Sequence, residues 1–333
     1  MTSTGDVVAA GLGAWLEERF SGSVALVGTP GTNTGGFDSA IYFVQYSGAT
    51  LPSEWQQPLV VRVKPRREAI DVARVEAARH EWLAEIGYPV PRILEVLEPD
   101  VLGPLPAQVM VRAPGRMLFD AVKHQPWTTR RRLHQLARLQ VDLHRLPVEG
   151  FPHTGDLVDR RLALPRQLAE ELHDPALSDA LEQTERLVAR LRSAPASVCH
   201  GDFHPLNVLV DGPSASVIDW SDAGIGDRHG DVARTILLFE LASIAATNRV
   251  ERSVLVAAGP IVSKRYRRAY ERLLPLEAER VALWRPTHLI HAWAQTLGAH
   301  AGRFDHDGGL AARLPDGLVD GLQRRFAAAI AAV

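Results

Sequence analysis

Residues 197–231, SVCHGDFHPLNVLVDGPSASVIDWSDAGIGDRHGD, constrain the fold more than any other part of the chain. They hold six aspartates and Asn207 between short apolar runs. Residues 198–200, 208–210 and 215–220 read as strands, too short for a core sheet and separated by Gly, Asp and Pro. The segment predicts a small hairpin-like platform whose strand ends bring polar groups to one place. An acidic metal site is built in that way.

Spacing suggests how the acids divide the work. Asp202 and Asn207 are five residues apart, and Asp219 follows twelve residues later. Mg²⁺ takes one or two carboxylate oxygens and an amide carbonyl, and keeps positions for water and phosphate. Asn207 and Asp219 are the expected ligands. Asp202 is left to orient an attacking hydroxyl and accept its proton, as phosphoryl transfer requires. Plainer readings exist for the neighbours. His200 and His204 have the i, i+4 spacing of a helical zinc pair, but Gly201 and Pro205 argue against a helix there. Asp211 before Gly212-Pro213 reads as a turn residue. Asp227 and Asp231 read as structural, capping a helix over 232–242.

Composition narrows the class. With 333 residues, 46% hydrophobic content and a formal charge of −2, the chain can bury a large core. That charge implies no nucleic-acid partner and no membrane surface. The bases are almost all arginine, with lysine only at 64, 123 and 264. This bias runs through the whole chain and marks no phosphate patch. The single cysteine, Cys199, suits a reducing compartment. No apolar run reaches a membrane span of roughly 20 residues, and 1–6 do not open a leader. A soluble cytoplasmic protein is expected.

In chain order, 6–20 show helical apolar spacing. GTPGTNTGG at 28–36 lacks the Lys-Ser/Thr of a P-loop and fits either a phosphate-covering turn or an ordinary hairpin before a strand at 39–46. A strand over 59–64 places Arg62 and Lys64 on one face, and another strand spans 107–112. Helical patterns then dominate: 129–146, two helices within 156–192, and after the platform 231–247, 253–274, 277–297 and 318–331. No internal repeat or low-complexity tail is present.

Several motifs in combination resemble one family. His200-Gly201-Asp202-Phe203-His204-Pro205-Leu206-Asn207 is similar to the HGDxHxxN loop of aminoglycoside phosphotransferases and choline kinase-like enzymes. Ile218-Asp219-Trp220 stands where protein kinases carry D-F-G. Gly226-Asp227 and Asp231-Val232-Ala233 continue the pattern, and Glu76-Ala77-Ala78, Trp82-Leu83-Ala84 and Gly87-Tyr88-Pro89 extend it upstream. The resemblance implies an α+β, two-lobed protein-kinase-like fold. The N-lobe, 1–112, would be an antiparallel sheet with a helix, the linker would lie at 113–116, and 117–333 would form a mostly helical C-lobe. It implies nucleotide bound in the inter-lobe cleft, with Val111 and Ala113 at the adenine edge. Arg62 falls in the slot of the family's phosphate-binding lysine, with Lys64 as the competing cation and Glu76 as the paired acid.

The implied activity is a Mg²⁺-dependent transfer of the γ-phosphate of ATP (or GTP) to a hydroxyl of a small molecule. The acceptor pocket would be built near His288, His291, Trp293, His300, Arg303, Asp305 and His306, unless these are core. Two other classes compete. A nucleotide-binding module without turnover is kept alive by arginine in the lysine slot. A metal-dependent hydrolase would leave the linker and Glu76 matches unexplained. Oligomeric state is not specified.

Overall fold

The computed structural model describes residues 4–33, 39–245, 248–303, 314–315 and 317–333. The chain divides into two compact units, Met1–Gly115 with Leu209–Ser221, and Arg116–Val208 with Asp222–Val333.

The first unit begins with helix α1 (Thr4–Phe20), followed by strands β1 (Ala25–Leu26), β2 (Gly31–Asn33), β3 (Ala40–Val44), β4 (Tyr46–Ser47) and β5 (Leu59–Val63). Helix α2 (Ile70–Glu85) and strands β6 (Ile93–Leu97) and β7 (Ala107–Val111) complete it. Five strands pair antiparallel in the order β2-β3-β5-β7-β6. Alternation along β5 explains its two faces. Leu59 and Val61 are fully buried in a core with Leu12, Leu16, Tyr42 and Val109, so this face packs against α1. Arg62 and Lys64 have the opposite parity. α2 lies along the sheet at β6 and β7, and the Gln108 amide donates to the Ala73 carbonyl at 3.0 Å. Of the glycine-rich run, Gly31–Asn33 pairs with β3, and 34–36 lie outside the described residues.

The second unit opens with β8 (Arg116–Met117), α3 (Leu118–His124), α4 (Thr129–His144) and α5 (Leu157–Leu172). α6 (Pro175–Glu185), α7 (Val188–Leu191) and β9 (Ala196–Cys199) follow, so 156–192 hold three helices rather than two. The hairpin β10 (Val208–Asp211) and β11 (Ser214–Val217) turns at Gly212, φ 55°, and from Leu209 onward belongs to the first unit. Then come β12 (Gly224–Asp227), α8 (Arg228–Leu241), α9 (Arg249–Glu271), α10 (Ala278–His300) and α11 (Leu318–Ile330). α10 is the centre of the helical core, in which Trp284, Leu289 and Ile290 are fully buried with Leu162, Leu237 and Phe326. Gly230 is required where α8 meets α10, because a Cβ there would stand 2.6 Å from the Trp284 ring.

The platform differs from the expectation. β9 pairs antiparallel with β12, while β10 pairs with β11, so the three short runs do not share one sheet. β11 ends at Val217, and Asp219 takes φ 65°, a left-handed backbone that ends any strand at Ile218. Consequently Asp202 and Asn207 belong to the second unit, and Asp219 belongs to the first.

Candidate active site

In the first unit the structure gathers Arg62, Lys64, Glu76 and Asp219. Glu76 is on the buried face of α2 with no exposed surface. Arg62 Nη1 reaches its Oε1 at 2.8 Å, and Lys64 Nζ reaches its Oε2 at 2.6 Å. Burial alone would raise the Glu76 pKa, but Arg62 and Lys64 outweigh it and hold the carboxyl at about 2. Burial lowers the Lys64 pKa, with the Glu76 charge opposing. Glu76 is therefore a buried acid paired with two cations rather than a solvated helix residue. Arg79, one turn further along, donates to the carbonyls of Trp220 at 2.7 Å and Ser221 at 2.9 Å. One helix thus positions both Glu76 and the segment that carries Asp219.

Arg62 is the branch point. Its Nη2 donates to Asp219 Oδ1 at 3.0 Å, and its Nε donates to Ser39 Oγ at 3.1 Å. The Ser221 hydroxyl donates to the same Asp219 oxygen at 2.9 Å. The Asp219 side chain is 37% exposed, against 12% for Arg62. Trp220 anchors this turn, being fully buried edge-on against Tyr88 at 5.6 Å. Val111 ends β7, and its N–H is spent on the Arg92 carbonyl at 2.9 Å. Ala113 follows the strand, half-buried, ahead of Gly115. Gly115 has φ 96°, and a Cβ there would lie 2.3 Å from the Val210 carbonyl oxygen.

In the second unit Asp202 and Asn207 meet in the loop after β9. The Asn207 amide nitrogen donates to the Asp202 carbonyl at 3.0 Å. His204 Nδ1 accepts from the Leu206 N–H at 3.2 Å, so the ring proton is on Nε2, which donates to Asp202 Oδ2 at 3.1 Å. Arg234 from α8 forks onto Asp202 Oδ1, through Nη2 at 3.0 Å and Nε at 3.2 Å. Burial would raise the Asp202 pKa, but His204 and Arg234 hold the carboxyl well below the usual range. His200 is buried in the same loop, and its Nδ1 accepts from the Asp202 N–H at 3.2 Å. No helix forms there, so His200 and His204 do not share a helix face.

Asp227 caps α8, accepting from the His229 N–H at 2.9 Å, as a structural acid should. Asp231 does not cap. The helix begins at Arg228, which leaves Asp231 inside its first turn with no exposed surface. Its carboxylate accepts from the Gly201 N–H at 2.6 Å, His144 at 3.0 Å and the Gln140 amide at 2.8 Å. Burial would raise its pKa, and the hydrogen bond from His144 helps to bring it to about 2.

Among the residues expected to line an acceptor pocket, His288 and Trp293 are core. His288 stacks on Trp284 and donates to the Gly230 carbonyl at 2.8 Å. His291 is buried against Arg161, and burial drives its pKa down to about 3. His300 and Arg303 are exposed, and Asp305 and His306 lie outside the described residues. The sequence reading missed Arg161 and Arg234. Arg161 bonds the Gly201 carbonyl and pairs with Asp222 at 3.1 Å. A weak signal for Arg234 was its place three residues after Asp231, on the same helix face.

Asn207 and Asp219 suit Mg²⁺ by donor chemistry. Asn207 commits its NH₂ group, which leaves its amide oxygen as the donor, and Arg62 and Ser221 both meet Asp219 on Oδ1. Among the described residues no three His, Cys, Asp or Glu side chains gather to hold a metal by themselves. Mg²⁺ needs only one or two such protein ligands, because it completes its shell from water and phosphate.

Comparison with known proteins shows the family and the fold. The sequence profile of the phosphotransferase enzyme family (APH) matches residues 32–276. The chain belongs to that family. An aminoglycoside 3'-phosphotransferase of Streptomyces fradiae is 34% identical over 213 residues, 59% of this chain and 75% of that protein. The crystal structure of a type VIII aminoglycoside-3'-phosphotransferase superposes with a TM-score of 0.56 at 25% identity, covering 84% of this chain and 98% of that one. A thermostable mutant of aminoglycoside phosphotransferase APH(4)-Ia, solved with ADP and hygromycin B, gives a TM-score of 0.59 at 18% identity over 96% and 98% of the two chains. The fold is the protein-kinase-like fold of these enzymes. No helix among the described residues is long and apolar enough to cross a membrane.

Proposed function

We propose that the chain transfers the γ-phosphate of ATP, or of GTP, to a hydroxyl of a small molecule, in the cytoplasm and with Mg²⁺. The observation that carries this reading is the Arg62 branch point, which pairs with Glu76 and also with Asp219, 157 residues further along the sequence. A nucleotide-handling cluster needs such a cation, held in place by acids where phosphate is to be met. An arginine can make that contact through two parallel hydrogen bonds. Lys64 would hold Glu76 from the other side, and the backbone at Val111 and Ala113 would meet the base. Residues 1–112 would then carry the nucleotide contacts, 113–116 the linker, and 117–333 the catalytic loop.

Asn207 and Asp219 would hold Mg²⁺, which when bound neutralises charge on the phosphate oxygens. Asp202 would do the acceptor chemistry. Its carboxylate is ionised and its side chain 27% exposed, so it can accept a hydrogen bond from a hydroxyl. Its low pKa makes it a weak base. That suits a loose transition state in which the proton leaves late and orientation matters more than basicity. The aminoglycoside names of the relatives make aminoglycosides the first acceptors to try.

The test is calorimetry with Mg-ATP and Mg-GTP, then ADP or GDP release over a panel of hydroxyl acceptors. Saturable binding with acceptor-dependent release supports the reading. Binding without release from any acceptor would make the chain a nucleotide-binding module, and no binding at all would overturn the proposal.

A further inference from the structure

α8 meets the loop carrying Asp202 at three successive residues. Asp231 accepts from the Gly201 N–H at 2.6 Å, Arg234 forks onto Asp202 Oδ1 at 3.0 and 3.2 Å, and Thr235 Oγ1 donates to the Phe203 carbonyl at 2.7 Å. The helix residues are i, i+3 and i+4, which share one face. One helical stripe therefore presents an acceptor, a cation and a hydroxyl to an N–H, a carboxylate and a C=O in sequence order. The loop has little freedom to adjust. Gly201 sits at φ 80°, and even a Cβ there would lie 2.4 Å from the Asp222 carbonyl oxygen.

Of the three contacts, only Arg234 touches a side chain that the proposed function places in the reaction. Arg234 itself is enclosed, with 8% of its side chain exposed, while Asp202 stays open. The charged groups facing Asp202 are His204 on its own loop, Arg234 on α8, Arg161 on α5, and Asp222. His204 takes Oδ2, and Arg161 spends its Nη2 on the Gly201 carbonyl and Asp222. Among the described residues, the hydrogen bonds to Oδ1 come from Arg234.

We infer that Arg234 is a positioning residue: its guanidinium fork fixes the Asp202 carboxylate in the rotamer that meets the acceptor hydroxyl, with α8 as the template for the whole loop. This rests on the phosphotransfer reading. A planar fork on one oxygen sets both the distance and the plane of the carboxylate, which a lysine point charge does not. Misplacement of about 1 Å at a reacting group can cost about 10²-fold in rate.

The experiment compares wild type, Arg234→Gln, Arg234→Lys, Asp202→Asn and the Arg234→Gln/Asp202→Asn double variant in the full chain. Turnover of Arg234→Gln should fall about 10²-fold, with Arg234→Lys in between and Mg-ATP affinity within about twofold of wild type in both. The double variant should be no slower than Asp202→Asn alone, because Arg234 acts through the carboxylate already removed. A multiplicative loss in the double variant would mean a general structural role and would overturn the inference. Crystal structures give a readout that needs no turnover. Asp202 should leave its wild-type rotamer in Arg234→Gln, and an unmoved carboxylate overturns the inference whatever the activity. Arg234→Lys serves both measurements if Arg234→Gln does not fold. Failure of the parent reading is seen separately, as a wild-type chain that transfers no phosphate.

Discussion

Glu76 and Asp202 are both carboxylates held by arginine, yet they are built for opposite ends. Glu76 has no exposed surface and two cations, one on each oxygen. Asp202 has one enclosed arginine, one histidine and an open side. A carboxylate saturated from both sides can only hold its partners in place. A carboxylate aimed by an arginine on Oδ1, with a single histidine on a partly exposed Oδ2, can still receive a hydroxyl. The difference teaches that charge pairing alone does not mark a reacting acid, and that the open lone pair does.

The sharpest way to break the comparison is to neutralise each acid. Asp202→Asn should lower turnover about 10²–10⁴-fold, the usual worth of general acid–base catalysis. Mg-ATP affinity, measured by calorimetry, should hardly change. Single-turnover transfer at saturating acceptor places the loss in the chemical step, and a fully active variant would remove Asp202 from the reaction.

The two cations on Glu76 sharpen the same contrast from the other side. Arg62→Ala should weaken Mg-ATP binding by about tenfold or more, as expected for one charge-assisted contact of about 1.5–3 kcal/mol. Lys64→Met should leave binding closer to wild type but cost about 3 kcal/mol of stability, because a buried carboxylate loses one of its partners. Calorimetry and urea unfolding separate these outcomes. The reverse order of affinities would transfer the phosphate contact to Lys64.

Acid should find Glu76 through stability. Its folded pKa of about 2 lies below the ordinary 4.5, so its contribution is fully present above pH 4.5 and is lost as pH falls towards 2. The loss is on the order of 3 kcal/mol. Asp227 and Asp231, also held at about 2 against an ordinary 3.8, lose theirs in the same window. Glu76→Gln should flatten the acid limb of a urea-midpoint profile, and an unchanged limb would show that the buried pairing does not set it.

How much of this was legible depended on sequence distance. Asp202 and Asn207 sit in one short loop at fixed spacing, and Arg62 and Lys64 share a face by strand parity, so both pairs could be read directly. Placing Glu76 beside them needed the family pattern, since a lone helical Glu has no signature of burial. Arg161 and Arg234 were lost in a chain whose bases are nearly all arginine, with lysine at only three positions. Apart from the place of Arg234 one turn after Asp231, nothing in their local sequence separates a buried cation from a solvated one. The platform was misread because strand pairing is long-range. β9 finds β12 beyond the hairpin, and short apolar runs do not announce which neighbour they choose.

The smallest effect lies at Asp219, which falls between the two extremes. Its Oδ1 carries Arg62 and the Ser221 hydroxyl, its side chain is 37% exposed, and its left-handed backbone holds it in the turn. Asp219→Ala should abolish the Mg²⁺ dependence of nucleotide affinity. Ser221→Ala is the finer probe, because it removes one hydroxyl donor from a carboxylate that is 37% exposed to solvent and leaves both the carboxylate and Arg62. Such a bond is worth about 0.5–1.5 kcal/mol. Mg-ATP affinity should therefore fall by about two- to tenfold, while affinity for ATP without Mg²⁺ stays level. Calorimetry with and without the metal reads that split directly. A loss equal in both conditions would mean that Ser221 supports the turn rather than the Asp219 carboxylate. Asp219 would then belong with Glu76, among the acids that only hold their surroundings together.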